Sequence, residues 1–158
     1  MIIFLDTNTL DFFCNPNELP ESVKCKEWFY TYYSRGATFC TSDICDYEIR
    51  RGLNANSIRS GKTSSGLSFL DKLRIDGYII FLPVTQDVLD SAAMLWARSS
   101  VVSKNNKDVK NIDVDIIISA HCQLLQNEYL GRRVVVATTN IEDLSIYCEG
   151  ANWQDIKF

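Results

Sequence analysis

The sequence predicts an α/β protein, a three-layer α/β/α sandwich around a mainly parallel sheet of four or five strands. Short continuous apolar runs, such as IIFL at 2–5 and VVVA at 134–137, are typical of strands that are buried on both faces. Longer segments with apolar residues at helical spacing alternate with these runs, as in parallel sheets covered by helices. At 158 residues and 46% hydrophobic composition, the chain is interpreted as a single domain over 1–158.

The first half of the chain divides at clear start and stop signals, with a proline near the beginning and a glycine at the end of its longest helix. In order, the predicted elements are a strand over 2–5, a helix over 7–14, a helix from Pro20 to Gly36, a strand over 37–41 and a helix over 42–53. The polar, Gly/Ser-rich stretch at 54–66 is predicted to be an insertion that forms either a mobile loop or a weak helix.

The second half continues the alternation. Its predicted elements are a helix over 67–74, a strand over 78–84, a helix over 85–100, a polar basic loop over 102–113, a helix over 114–126, a strand over 132–140, a short helix over 141–150 and a last edge strand over 153–158. Residues 99–111 within this half are interpreted as a second insertion. Each crossover contains a helix, so the strands are expected to be parallel.

Composition limits the classes of function. The formal net charge of −4 is unlike the basic balance of most nucleic-acid binders. The six cysteines form no CxxC pair, which favours reduced thiols of the cytoplasm over zinc sites or disulfides. No apolar run approaches the roughly 20 residues of a membrane span, and no signal peptide is visible. We therefore expect a cytoplasmic protein that does not contact a membrane.

Five acidic residues lie at the ends of predicted strands or near the starts of predicted helices. They are Asp6, Glu48, Asp113, Asp115 and Asp143. Because ligands of such sheets bind beyond the carboxyl ends of the strands, these acids are expected to converge there. Crowded carboxylates need cations, and an oxygen-only set favours Mg²⁺ or Mn²⁺. Taken singly, Asp6, Asp113 and Asp115 are equally well explained as helix caps or first-turn acids, and Glu48 and Asp143 are better explained as a solvated helix residue and a cap.

Four stretches that carry these acids resemble the motifs of the PIN-domain family, which comprises metal-dependent ribonucleases and includes the VapC-type toxins. In chain order they are FLDTNTL, TSDICDYEIRRG, DIIISAHC and VVVATTNIEDL. Each motif is weak alone, but the order and spacing agree over nearly the whole chain. The resemblance implies a PIN-like fold.

The resemblance also implies a site and an activity. Asp6, Glu48 and Asp115 would hold one or two Mg²⁺ or Mn²⁺ ions, with Asp143 bound directly or through water. Asp113 is an extra acid that competes with Asp115 for the role of third ligand. The implied function is an endoribonuclease that uses a metal-activated water and leaves a 3′-hydroxyl and a 5′-phosphate. The implied role is the toxin of a type II toxin–antitoxin pair, with RNA as substrate, an antitoxin as partner and a homodimer as assembly.

Neutral polar residues beside the acids complete the implied site. Thr7, Asn8, Ser42 and Asn140 would orient the carboxylates or contact phosphate. Basic residues that could contact phosphates are Arg50, Arg51, Lys104, Lys107, Lys110, Arg132 and Arg133. Each of these is equally explained as a solvated surface charge.

Two other readings are open. A PIN-like module that binds RNA or protein without turnover would keep the fold, and its binding would survive mutation of the acids; the sequence argues against it, since no matched acid is replaced. A phosphotransfer enzyme, of the haloacid-dehalogenase or receiver type, also has Asp after its first strand, but the former needs Asp where Asn8 stands. His121, the only histidine, is predicted to be packed or hydrogen-bonded, and the aromatic run at 28–33 to lie in the core or a dimer face.

Overall fold

A single all-parallel sheet of five strands forms the centre of the molecule. The computed structural model describes residues 1–15, 19–102 and 112–158, and of these the side chains at 99–102, 112 and 113 are not described. The strands are β1 (Ile2–Leu5), β2 (Thr38–Ser42), β3 (Ile79–Leu82), β4 (Val134–Ala137) and β5 (Gly150–Ala151). Their order in the sheet is β3-β2-β1-β4-β5, and every neighbouring pair is parallel. The predicted fold class is confirmed.

Helices cover both faces of this sheet. The described helices are α1 (Thr7–Cys14), α2 (Pro20–Ser34), α3 (Asp43–Ser60), α4 (Ser65–Asp76), α5 (Gln86–Val102), α6 (Ile112–Glu128) and α7 (Ile141–Leu144). In this part of the chain, no helix is both long and apolar enough to cross a membrane.

The core explains why the central strands are continuous apolar runs. All four residues of β1 and all four of β4 are buried, because helices pack on both faces of the middle of the sheet. The edge strand β3 is half-exposed, with Ile80 open to solvent. A second apolar cluster, with Val88 and Leu95 of α5 against Ile116 of α6, attaches these two helices to each other.

The stretch at 54–66 is mostly helical, so the loop alternative is wrong. Helix α3 continues to Ser60, and Gly61 ends it in the left-handed conformation at φ +67°. Glycine adopts this backbone without the steric cost of a Cβ, which is why helices often end there. Ser64 then caps α4 through its side chain, leaving only a short turn between the two helices.

The predicted last strand over 153–158 is also wrong. The fifth strand is Gly150–Ala151, and it precedes a turn at 153–155. Trp153 and Ile156 are buried against the core from this irregular segment, so their apolar character marks packing and not a strand. The predicted loop over 102–113 lies outside the described residues, except for its ends in α5 and α6.

Candidate active site

A polar cavity of about 190 Å³ opens beyond the carboxyl ends of the central strands. It is lined by Asp6, Thr7, Asn8, Glu48, Val114, Asp115 and Asn140. These residues come from the β1–α1 junction, from α3, from the start of α6 and from the segment after β4. Chain segments that are more than 100 positions apart therefore meet at the sheet edge where parallel α/β proteins bind ligands.

Asp6 ends the buried strand β1 with a carboxylate that is 5% exposed. Its Oδ1 accepts a hydrogen bond from the Thr7 N–H at 2.5 Å, which caps α1, and its Oδ2 accepts one from the Thr138 hydroxyl at 2.7 Å. Burial raises the pKa of Asp6, the two hydrogen bonds lower it, and the nearby charge of Glu48 raises it; the net direction is upward.

Glu48 reaches the same cavity from α3. Its Oε2 accepts a hydrogen bond from the Thr7 hydroxyl at 2.7 Å, and its Oε1 lies 3.2 Å from a guanidinium nitrogen of Arg51. Thr7 therefore donates to two carboxylates, through its backbone N–H to Asp6 and through its side chain to Glu48. This double contact connects the β1–α1 junction to α3 beside the cavity.

Asp115 lies in the first turn of α6, where its Oδ2 accepts a hydrogen bond from the Asn140 side-chain amide at 3.3 Å. Burial raises the pKa of Asp115 to about 6, with further contributions from the charges of Asp6, Asp143 and Glu48 in that order. Asp143 itself is exposed on α7 and does not line the cavity. The other three acids are thus close enough to Asp115 for their charges to act on it.

The other sequence-predicted site residues divide into two groups. Asn8 lines the cavity, and its side-chain amide donates to the Thr139 hydroxyl at 3.1 Å. Ser42 does not line it: its buried hydroxyl caps α3 and is hydrogen-bonded to His121 Nε2 at 2.9 Å. The prediction that His121 is packed and hydrogen-bonded is confirmed. The Asp113 side chain lies outside the described residues, so its competition with Asp115 stays open.

Thr138 is a contact residue that sequence reasoning left without a role. Its hydroxyl donates to Asp6 and accepts from the Asn140 N–H at 2.9 Å, so it connects two groups of the site. The available signal was its place at the end of the buried β4 run, in line with Asp6 at the end of the neighbouring strand.

The basic residues named from the sequence lie in different places. Arg51 contacts Glu48, whereas Arg50 is held by Asp46 and Asp71 at 3.0 and 2.8 Å. Arg132 and Arg133 precede β4 and therefore lie at the opposite, amino-terminal edge of the sheet. There Arg132 donates to the Met1 carbonyl and Arg133 pairs with Glu149. The three lysines of the 102–113 loop lie outside the described residues.

The donor set suits a hard divalent cation in its chemistry. Asp6 and Asp115 have no ion-pair partner among the described side chains, and mutual repulsion contributes to the raised pKa of Asp115. Carboxylate and amide oxygens are the ligands that Mg²⁺ and Mn²⁺ prefer. Within residues 1–15, 19–102 and 112–158, however, no three His, Cys, Asp or Glu side chains already form a group that could hold an ion.

Comparison with known proteins gives matches only among solved structures, since no protein-family model and no curated protein matches the chain. One match is VapBC2 from Rickettsia felis bound to a promoter DNA fragment, at 17% identity and TM-score 0.66, covering 97% of this chain and 99% of that one. Another is VapBC-1 from nontypeable Haemophilus influenzae, at 16% identity and TM-score 0.63, covering 98% and 100%.

FitAcB from Neisseria gonorrhoeae also matches, at 19% identity and TM-score 0.66, with 98% of this chain and 99% of that chain covered. Likeness at such low identity establishes the fold and not the activity. The chain therefore has the PIN-domain fold over nearly its whole length, as its four motifs implied.

Proposed function

We propose that this protein is a Mg²⁺- or Mn²⁺-dependent endoribonuclease that hydrolyses RNA phosphodiester bonds with a metal-activated water. The observation that carries the proposal is that Asp6, Glu48 and Asp115, from three separate segments, line one cavity at the carboxyl edge of the sheet. Among the described side chains, Asp6 and Asp115 have no cationic partner. Bringing these charged groups together costs free energy unless a bound ligand compensates their charge.

When bound, the divalent ion would lower the pKa of a water molecule and stabilise charge on the phosphodiester. Asp6, Glu48 and Asp115 would hold it, with Asp143 bound directly or through water. Asp113 is the alternative third ligand. The cavity oxygens that remain would be available to the RNA backbone.

The neutral donors around the acids give the site its order. Thr138 donates to Asp6, Thr7 donates to Glu48 and Asn140 donates to Asp115. Each carboxylate therefore accepts a hydrogen bond from a neutral side chain, which orients it without adding charge. Such supporting hydrogen bonds typically affect metal affinity or activity by roughly 10- to 100-fold.

A role as the toxin of a type II toxin–antitoxin pair is the second part of the proposal. The matched structures are VapBC and FitAB toxin–antitoxin complexes, and two of them are bound to DNA. By analogy, this chain would bind a cognate antitoxin, form a homodimer and act on RNA in the cytoplasm. This part rests on likeness of fold, an associational argument.

A non-catalytic PIN-like module that binds RNA or protein is the second candidate. It is favoured by one observation: in the described part of the chain, the acids line a common cavity without forming a ready metal-binding group. Both candidate functions are compatible with the same fold and with Asp6 and Asp115 in the cavity. A measurement of catalytic activity must therefore distinguish them.

The deciding experiment measures cleavage of a long single-stranded RNA with Mn²⁺ and with EDTA. The variants are D6N and D115N, since Asn preserves side-chain shape and hydrogen-bonding reach. D87N is the matched control, because Asp87 is exposed in the first turn of α5 and does not line the cavity. We expect Mn²⁺-dependent cleavage that falls by roughly 100-fold or more in D6N and D115N but not in D87N.

Circular dichroism must show that each variant is folded. Cleavage that persists in EDTA or in folded D6N would contradict the nuclease proposal. RNA binding without cleavage, unchanged in D6N, would instead support the binding module.

A further inference from the structure

Among the described residues, Arg51 is the cationic side chain that pairs with a carboxylate of the cavity. Its Nη2 lies 3.2 Å from Glu48 Oε1, one turn earlier on α3. The Arg51 side chain is 58% exposed and that of Glu48 is 17% exposed, so the guanidinium approaches the cavity from the solvent side. Because more than half of the Arg51 side chain is exposed to solvent, it can move away from Glu48 without unfolding the helix.

A second contact of Arg51 lies outside the cavity. Its Cζ is 5.8 Å from the centroid of the exposed Tyr47 ring, one turn back on the same helix. A guanidinium near an aromatic face gains a modest electrostatic attraction. Arg51 therefore has two partners on α3, a carboxylate that lines the cavity and an exposed ring that does not.

The neighbouring arginine has no such freedom. Arg50 is bound to Asp46 in a two-point contact and to Asp71 of α4, and these acids raise its pKa. Of the two consecutive arginines, only Arg51 is placed to respond to what occupies the cavity.

We propose that Arg51 is an internal counter-ion of the acidic site, which pairs with Glu48 while no divalent cation is bound, leaves when one binds, and then contacts an RNA phosphate. This inference rests on the proposed function. It assigns Arg51 two opposite effects, one against the metal and one in favour of the substrate.

The contacts of Glu48 explain the first effect. Thr7 donates to Oε2 and Arg51 to Oε1, so both carboxylate oxygens already have a partner. A divalent cation at Oε1 and a guanidinium beside it repel each other. Exposed ion pairs are weak, and a doubly charged ion that binds several oxygens at once can displace one.

The geometry of a guanidinium explains the second effect. Once released, Arg51 stays at the cavity rim, because Tyr47 offers it a place one turn away. Its planar set of donors matches two phosphate oxygens, which an ammonium group does not do. The contact would add affinity for the RNA backbone without reading sequence.

The test compares R51Q with wild type and with R59Q. Arg59 is exposed on the same helix and does not line the cavity, so R59Q removes the same charge away from Glu48. Calorimetry with MnCl₂ measures metal affinity without RNA. The Michaelis constant for a long single-stranded RNA is then measured at saturating Mn²⁺.

For R51Q we expect Mn²⁺ to bind roughly three- to fivefold more tightly, as expected from losing a weak competing ion pair. We expect the RNA KM to rise by about fivefold or more with a smaller change in kcat. R59Q should change neither quantity, and R51K should restore less of the RNA affinity than of the wild-type metal affinity.

Unchanged or weaker Mn²⁺ binding by R51Q overturns the inference, as does equal tightening in R59Q, which would indicate only a general charge effect. An unchanged KM in R51Q overturns it too. In each of these cases wild-type Mn²⁺-dependent cleavage leaves the proposed function standing. If wild type binds no Mn²⁺ and cleaves no RNA, the proposed function fails and this inference fails with it.

Discussion

Replacing Asp115 by Asn should stabilise the metal-free protein at alkaline pH. The pKa of Asp115 is raised from 3.8 to about 6 by burial and by the charges of Asp6, Asp143 and Glu48. The folded state therefore binds more protons than the unfolded chain between these values. Stability is lost as pH rises through that interval and remains lost above it. Asn carries no charge, so the free energy of unfolding of D115N does not contain this pH-dependent loss.

The magnitude follows from the size of the pKa change. One pKa unit corresponds to ~1.4 kcal/mol, so the full change would be worth ~3 kcal/mol for a group shielded from water. Asp115 is only half-buried, and solvent screening reduces this to ~1–2 kcal/mol. Loss of a favourable first-turn charge at the helix dipole removes a further ~0.5 kcal/mol. D115N should therefore be more stable than wild type by ~1 kcal/mol at pH 8 and nearly equal to it at pH 4.

Urea denaturation in EDTA at both pH values measures this difference. D87N isolates the helix-dipole contribution, because Asp87 is also in the first turn of a helix but does not line the cavity. D87N should be equal to wild type or slightly less stable at pH 8. If D115N is instead less stable than wild type at pH 8, the acids of the cavity do not repel one another as we have reasoned.

Three further predictions concern side chains that stabilise the folded protein near the site and the end of helix α3. T138V leaves one oxygen of the buried Asp6 without its donor and should cost about 1–3 kcal/mol in urea denaturation, with S145A, at an exposed hydroxyl, as control. Burial lowers the pKa of His121 to about 4, so wild type should lose stability as pH falls from 6.5 to 4. H121N has no titrating ring and should lose less stability over that range. Parallel stability profiles of the two proteins against pH would contradict this. G61A should lower stability by about 1 kcal/mol, because the φ of +67° at the end of α3 strains any residue with a Cβ, and a change within error would contradict that helix end.

The sequence by itself determined the elements of the fold. The buried runs over 2–5 and 134–137 are strands because a strand covered on both faces is apolar at every position, a property that local sequence records. The same criterion failed where burial comes from an irregular segment. Trp153 and Ile156 are buried in the core without lying in a strand, and composition alone does not distinguish the two cases.

The site was only partly contained in the sequence. That Asp6, Glu48 and Asp115 approach one sheet edge follows from their places at the end of a strand or near the start of a helix in an alternating pattern. Which polar groups contact them does not follow. Thr138 supports Asp6, whereas Ser42, with an equally suitable side chain, is hydrogen-bonded to His121 away from the cavity.

The two consecutive arginines show the physical reason. Arg50 and Arg51 have the same side chain and are adjacent in sequence. Successive residues of a helix, however, point about 100° apart. One guanidinium therefore meets Asp46 and the other meets Glu48. Local patterns determine which residues are helical, but the packing of α3 against its neighbours decides which partner each side chain finds.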